Sequence, residues 1–308
     1  MDRRAEDRND AVAGALLGTF VGDALGMPYE GLPGAAVPAR LEMVEARRGR
    51  GTYTDDTEMM IVLAESLLEH GSVDEQRLAE AFLERCDPSR GYGAGTLQVL
   101  ESWRRGVPVE AAAQRLFGGE GSLGNGAAMR IAPVAVLFAD SPDELCAQAE
   151  RSARLTHAHP LAVDAAVVQA VAVAAALRGE SILAAARAAA GHSVMARRLD
   201  RAGELVGSEP GPVEVGELLG NSAFGHESVP TAIFAVASHA AFEQAVSFAV
   251  RCGGDTDTLG AMAGALAGAT YGSGSIPARW LDALEDGRRG RRYVERLGGD
   301  LAAAAKWR

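Results

Sequence analysis

The stretch that most constrains the fold is GGDTDTLGAMAGALAGATY at 253–271, in which Gly260, Gly264 and Gly268 recur every four residues with Ala261 and Ala265 beside them. Residues four apart share one face of a helix. Glycine costs roughly 1 kcal/mol in a helix interior, so a stripe of three needs compensation. A nearly bare face supplies it by letting another helix approach closely. A helix held that tightly has a fixed starting point, and here the start carries Asp255, Asp257 and Thr258.

The rest of the chain also reads as helix. Alanine is abundant, strand-type alternation is nearly absent, and proline leaves long intervals free at 39–87, 161–209 and 231–276. This is an all-α pattern. Helices are expected over 9–26, 56–70, 74–86, 95–105, 109–116, 127–139, 142–154, 160–178, 180–190, 194–204, 213–220, 230–238, 241–251, 257–271 and 278–285. A chain of 308 residues can bury a substantial core. With no fixed-period repeat, low-complexity linker or break in composition, residues 1–308 are read as one compact domain.

The net charge of −11 argues against a nucleic-acid backbone or an anionic membrane as the main partner. An acidic protein that handles a polyanion must use metal ions or backbone amides. Cys86, Cys146 and Cys252 lie far apart with no C-x-x-C pair, which fits reduced thiols serving as small buried hydrophobes in a cytoplasmic protein. The start, MDRRAEDRNDAVAG, lacks the basic head and apolar centre of a secretory signal. The apolar run at 161–177 contains Asp164 and Gln169 among Ala and Val, and reads as a buried helix rather than a membrane span.

A second Asp/Thr cluster, Thr54, Asp55 and Asp56, stands in GTYTDDTEMM ahead of an apolar helix. Alone it is a generous N-cap, with Thr54 or Asp55 accepting a backbone N–H. Taken together, the two clusters offer only oxygen ligands, the set that a hard cation such as Mg²⁺ or Mn²⁺ prefers. In an extended or turning D-T-D-T segment residues i and i+2 point the same way, so Asp255 and Asp257 can reach one point. Four such aspartates with Glu30, in GDALGMPYEG, would carry −5, and desolvation would then raise their pKa values. Two divalent cations nearly cancel that charge. Glycine loops offer another kind of site. RGYGAGTLQVL at 90–100 runs into a helix and can point backbone N–H groups at an anion. In FGGEGSLGNGAAMR at 117–130, Gly121, Gly124 and Gly126 surround Ser122 and Asn125, letting a ligand lie against the backbone with Phe117 as a stacking surface. His157, in LTHAHP, is otherwise an ordinary core or capping histidine.

These motifs resemble one family. GDALGMPYE, YTDDTEM, RGYGAG, GSLGNGAAMRIAP, THAHP and GGDTDTLGAMAGALAGA stand in the order seen in ADP-ribosylglycohydrolases (the DraG-like ADP-ribosyl-acceptor hydrolases), and span about residues 14–270. The resemblance implies a compact orthogonal helical bundle with a binuclear Mg²⁺ or Mn²⁺ centre that removes ADP-ribose from a modified acceptor. Thr54, Asp55, Asp56, Asp255, Asp257 and Thr258 match the metal ligands. Glu30 and Asp56 are the implied catalytic groups, Glu30 matching an acid that closes over the site in the branch acting on serine-linked ADP-ribose. Gly93, Gly121, Ser122, Gly124, Asn125 and His157 match positions holding the diphosphate and riboses, and Phe117 an aromatic on which adenine stacks. Leu123 stands where that branch has a second aromatic wall.

The R-G-Y-G-A-G loop and the G-S-x-G-N-G spacing look closest to the branch acting on serine-linked and O-acyl ADP-ribose. The expected partners are therefore ADP-ribosylated protein or O-acyl-ADP-ribose, bound by a monomer with no dependence on nucleic acid or membrane. The cations would hold the distal ribose and lower the pKa of the attacking water, with Glu30 as general base or as a gate. Two alternatives stand beside this reading: hydrolysis of arginine-linked ADP-ribose, and a non-catalytic ADP-ribose binder.

Overall fold

The computed structural model describes residues 3–46 and 48–307. Among these residues there are sixteen α-helices and no extended strand, only two isolated antiparallel bridges, Pro33 with Gly253 and Gly124 with Phe224. The all-α expectation holds.

At the centre, the glycine helix Thr256–Tyr271 lies antiparallel against the opening helix Arg3–Gly26. The partner face is a second glycine stripe. Gly14, Gly18, Gly22 and Gly26 stand opposite Gly268, Gly264, Gly260 and Thr256, backbone against backbone. A Cβ added at Gly22 would lie 1.8 Å from the Gly260 carbonyl oxygen, and one at Gly264 would lie 1.9 Å from that of Gly18. No side chain fits between these helices. The rest of the core closes around the pair with Leu16, Phe20, Leu25, Met59, Met60 and Ile61, all fully buried. The apolar run at 161–177 forms the helix Pro160–Leu177, whose alanines and valines are largely buried.

The opening helix also anchors the helix Asp55–His70. Asp23, buried with no accessible surface, accepts the Thr54 N–H at 3.0 Å, the Thr57 N–H at 3.1 Å and the Thr57 hydroxyl at 2.5 Å. Thr54 is the N-cap, its hydroxyl accepting from the Asp56 N–H. Capping is thus done by Thr54 and by an aspartate from another helix, which leaves the side chains of Asp55 and Asp56 free of it.

Several boundaries differ from expectation. The helix Arg291–Ala304 was not anticipated, because Gly298 and Gly299 interrupt its pattern. Gly298 packs against Ala13 of the opening helix, its absent side chain making room for that contact. Pro230 does not open a helix but sits inside Gly225–Ala237 as its sixth residue, beyond the four N-terminal positions whose N–H groups have no helical acceptor, so the helix forgoes one backbone bond there. The helix expected from 127 begins only at Ala132, since residues 123–131 turn around Asn125, whose carbonyl accepts the N–H groups of Ala128 and Met129. The expected helix 109–116 becomes one short turn, Val109–Ala112, followed by 3₁₀ turns, and 278–285 shrinks to Ala278–Leu281. Of the three cysteines only Cys252 is buried; Cys86 and Cys146 are half-buried at the core edge.

Because the glycine contact is steric, Gly22→Ala should destabilise the protein by about 2–3 kcal/mol. Gly299→Ala, on an exposed helical position with nothing within 4 Å of the added Cβ, should stabilise it by up to about 1 kcal/mol. Urea titration of the two variants gives the signs, and equal effects would contradict the close-packing account.

Candidate functional site

The two Asp/Thr clusters meet at one end of the paired glycine helices. The turn Met27–Tyr29 follows the opening helix, and Glu30 follows it. This segment is stitched to the loop before the glycine helix by Gly31 N–H to the Gly254 carbonyl (2.8 Å) and Gly254 N–H to the Leu32 carbonyl (2.9 Å). Gly253 and Gly254 both take left-handed backbone with φ of 77° and 73°, and a Cβ on either would strike neighbouring backbone atoms. Glycine is therefore required there. The outcome is that carboxylate oxygens of Glu30, Asp255 and Asp257 lie within 4.8 Å of one another. Asp255 is the N-cap of the glycine helix and Asp257 its second residue. The two converge at a helix start rather than along an extended segment.

Asp55 and Asp56, from the helix Asp55–His70, line one cleft with these acids. Thr54 and Thr258 hydroxyls both approach Asp56 Oδ2, at 3.4 and 3.3 Å, while Asp56 Oδ1 is buried with no hydrogen-bond partner. Burial pushes Asp55, Asp56 and Asp257 well above the ordinary carboxylate range, and the neighbouring Asp23, Asp55, Asp255 and Glu30 charges push further in the same direction. Asp23 is raised to about 6, mainly by burial, against the pull of its threonine hydrogen bonds. A set of buried, mutually repelling oxygen ligands with an orphaned Oδ1 fits a hard divalent cation. The acidic cluster is a candidate metal site.

The same cleft, enclosing about 190 Å³, runs from these acids to the glycine loops and is lined also by Gly91, Gly93, Gly95, Thr96, Phe117, Ser122, Gly124, Asn125, Gly126 and His157. Gly93 caps the helix Ala94–Arg104 with no side-chain acceptor on the first N–H groups, so those donors are open to an anion. Asn125 joins the two halves, its Nδ2 donating to Asp255 Oδ2 at 2.6 Å and to the Ser228 hydroxyl at 3.1 Å. His157 packs under the second loop, where a Cβ on Gly126 would lie 2.7 Å from its ring. Burial, and behind it the Arg130 guanidinium, lower its pKa to about 3, so the imidazole is neutral. Phe117 holds left-handed backbone with φ of 51°, an uncommon conformation for an aromatic residue, and its ring is 66% exposed.

Most of the expected residues come together, with three qualifications. Thr54 is buried and is not among the residues lining the cleft; its hydroxyl caps the Asp56 N–H. Gly121, with φ of 77°, turns the chain against Ala158 and His159. Leu123 is half-buried, and it is its carbonyl, accepting from the Gly225 N–H, that serves the loop. Asp23, Ser228 and Ala223 were not anticipated. For Asp23 a signal existed: a lone acid in the apolar run FVGDALG.

A family model for ADP-ribosylglycohydrolase matches residues 4–308. Among curated relatives, the human ADP-ribosylhydrolase ARH3 is 33% identical over 323 aligned residues, covering 88% of each chain. The ADP-ribosyl-[dinitrogen reductase] glycohydrolase of Rhodospirillum rubrum is 31% identical, covering 90% of this chain and 91% of that protein. A solved structure described as an ADP-ribosylglycohydrolase-related protein complex superposes with a TM-score of 0.81 at 35% identity, over 98% of this chain and all of the other. The chain belongs to the ADP-ribosylglycohydrolase family and is a glycohydrolase enzyme.

Proposed function

We propose that the protein hydrolyses serine-linked or O-acyl ADP-ribose at C1″ of the distal ribose, with two divalent cations, Mg²⁺ or Mn²⁺, in the acidic cluster. The observation that carries this reading is the convergence of Glu30, Asp255 and Asp257 oxygens at one end of a cleft whose other end is lined by glycine backbone. Acids suit a metal-held ribose and backbone amides suit a diphosphate. Likeness of the 90–95 and 121–126 loops to the serine and O-acyl branch, together with similarity to ADP-ribosylhydrolase ARH3, supports the linkage.

Asp55, Asp56, Asp255 and Asp257 would hold the cations, with the Thr54 and Thr258 hydroxyls completing the oxygen set. When bound, such ions grip sugar hydroxyls and make water more acidic. The open N–H groups at Ala94 to Thr96 and the Ser122–Asn125 loop hold the diphosphate and fix the ribose over the acids. Cleavage passes through an oxocarbenium-like state. Glu30, exposed at the mouth of the cluster, accepts the proton of the attacking water. As the bond from C1″ to the leaving oxygen breaks with its electron pair on that oxygen, Glu30 returns the proton to it, so that serine departs as the neutral hydroxyl. Asp56 would act on the reacting centre through a cation held by its unpartnered Oδ1.

Asp56→Ala and Asp257→Ala should each lower turnover by orders of magnitude while the far-ultraviolet circular dichroism stays helical. Near-normal activity of either variant in chelator-treated buffer would exclude the metal reading. A stability test is independent of turnover. An acid whose pKa is higher folded than unfolded stabilises the fold in acid, and that contribution is lost as pH rises from the unfolded value toward the folded one. For Asp23 the window runs from 3.8 to about 6, and for Asp55, Asp56 and Asp257 it extends upward from 3.8. The metal-free protein should therefore lose melting temperature between pH 5 and 7, and millimolar Mg²⁺ or Mn²⁺ should restore it at pH 7 by mass action. Linkage is tested by release of free ADP-ribose from serine-linked, O-acetyl and arginine-linked substrates. The first two should react faster, and Glu30→Gln should lose rate much more than ADP-ribose affinity. A preference for the arginine linkage would overturn the linkage while leaving the metal site.

A further inference from the structure

Two motifs of the cleft carry side chains that the proposed chemistry leaves without a role, Glu58 in YTDDTEM and the pair Arg90 and Tyr92 in RGYGAG. The structure joins them. Glu58 stands three residues after Asp55 in the helix Asp55–His70 and is buried, 6% exposed. Its Oε2 accepts the Tyr92 hydroxyl at 2.7 Å and the Asp87 N–H at 2.9 Å, while Oε1 lies 3.9 Å from Arg90 Nε. Three points of the segment 87–92 are thus fastened to one carboxylate. Arg90 does not line the cleft. Its guanidinium lies 3.6 Å over the Tyr53 ring, donates to the Tyr53 carbonyl at 2.8 Å and pairs with Glu285, so it secures the foot of the loop rather than meeting an anion.

The chain on either side of Tyr92 is the anion end of the cleft. Gly91, with φ of 97°, passes beside Asp55, whose Oδ1 would be 3.8 Å from a Cβ there. Gly93 then opens the helix Ala94–Arg104, whose first N–H groups have no side-chain cap, and a Cβ on Gly93 would meet nothing within 4 Å. The placement of those donors therefore depends on Tyr92, the buried residue between the two glycines. Asp55 and Glu58, three apart, are neighbours on the helix surface. One turn of helix presents Asp55 to the cleft and Glu58 to the loop that closes its other end. A ligand whose diphosphate and ribose must meet both ends at once is sensitive to that spacing.

We propose that Glu58 is a positioning residue: by holding Tyr92 and the Asp87 N–H, it sets the distance between the anion-holding N–H groups at 94–96 and the acids at the start of its own helix. The inference rests on the proposed ADP-ribose chemistry, and the test separates the two. Calorimetry measures binding of ADP-ribose with Mg²⁺ present and, separately, of Mn²⁺ alone, to the wild type, Tyr92→Phe, Glu58→Gln and Glu58→Ala. Tyr293→Phe is the control, since Tyr293 donates to Glu65 of the same helix, outside the cleft lining. KM and kcat come from release of free ADP-ribose. Tyr92→Phe should weaken ADP-ribose binding about tenfold, with the loss in KM and kcat held within about twofold, and should bind Mn²⁺ like the wild type. Glu58→Ala should lose at least as much affinity, and Glu58→Gln, whose amide oxygen can accept both donors, should recover most of it. Tyr293→Phe should keep the wild-type KM. Wild-type affinity in Tyr92→Phe, an equal KM rise in Tyr293→Phe, a Glu58→Gln no better than Glu58→Ala, or a matching loss of Mn²⁺ binding would each overturn the positioning role alone. Failure of the wild type to bind ADP-ribose would overturn the functional reading and this inference with it.

Discussion

Everything at the site depends on the backbone-to-backbone contact of the two glycine helices. Side-chain packing leaves helices room to slide, because rotamers adjust, whereas carbonyl oxygens pressed into bare glycine faces do not. The pair ends where Gly26 meets Thr256, whose hydroxyl donates to the Gly26 carbonyl at 2.8 Å. Beyond that point each chain needs only a few residues to reach the cluster, Met27 to Glu30 on one side and Asp257 back to Asp255 on the other. One turn earlier, Asp23 reaches out to Thr54 and Thr57 and sets the third segment. Three pieces of chain separated by up to about two hundred residues are thus registered against a single helix end.

That registration has an electrostatic cost. Several carboxylates are gathered where burial and mutual repulsion both oppose ionisation, and the fully buried cation among the described residues is Arg130. Its guanidinium donates to the Ser152 carbonyl at 2.7 Å and lies over Phe82 at 5.1 Å, with no carboxylate partner. Burial lowers its pKa to about 10, which still leaves it charged at neutral pH. The nearby Tyr92 and Asp55 act against that lowering, and the guanidinium adds to the burial that keeps His157 neutral. An imidazole that cannot protonate is a steady surface for the loop glycines packed on it.

The fold class was legible because alanine, proline spacing and the glycine stripe all act locally. One stripe was read at 260–268, yet its partner at 14–26 was not, although Gly14, Gly18 and Gly22 have the same spacing. A pairing between distant segments is not a local property. The same reason hid Asp23, whose role exists only once Thr54 is beside it. Pro230 and the pair Gly298 and Gly299 misled in the opposite way, since residues that disfavour helix locally are accepted where packing compensates. The acids and glycine loops of the cleft were readable because their chemistry is carried by residue type and order.

A chain with a net charge of −11 would be expected to repel a diphosphate, and among the described residues no lysine or arginine lines the cleft. On the proposed function, positive potential would come from open N–H groups at the start of the helix Ala94–Arg104 and from cations in the acidic cluster. The first source is fixed and survives salt better than mobile side-chain charges do. The second is present only when metal is bound. Metal and anionic ligand therefore favour each other, and by linkage the enhancement is equal in both directions. A surface lysine would remove that dependence and would also attract unrelated anions. On the proposed function, a site built from backbone and acids would make affinity for the diphosphate conditional on the ions that act on its ribose.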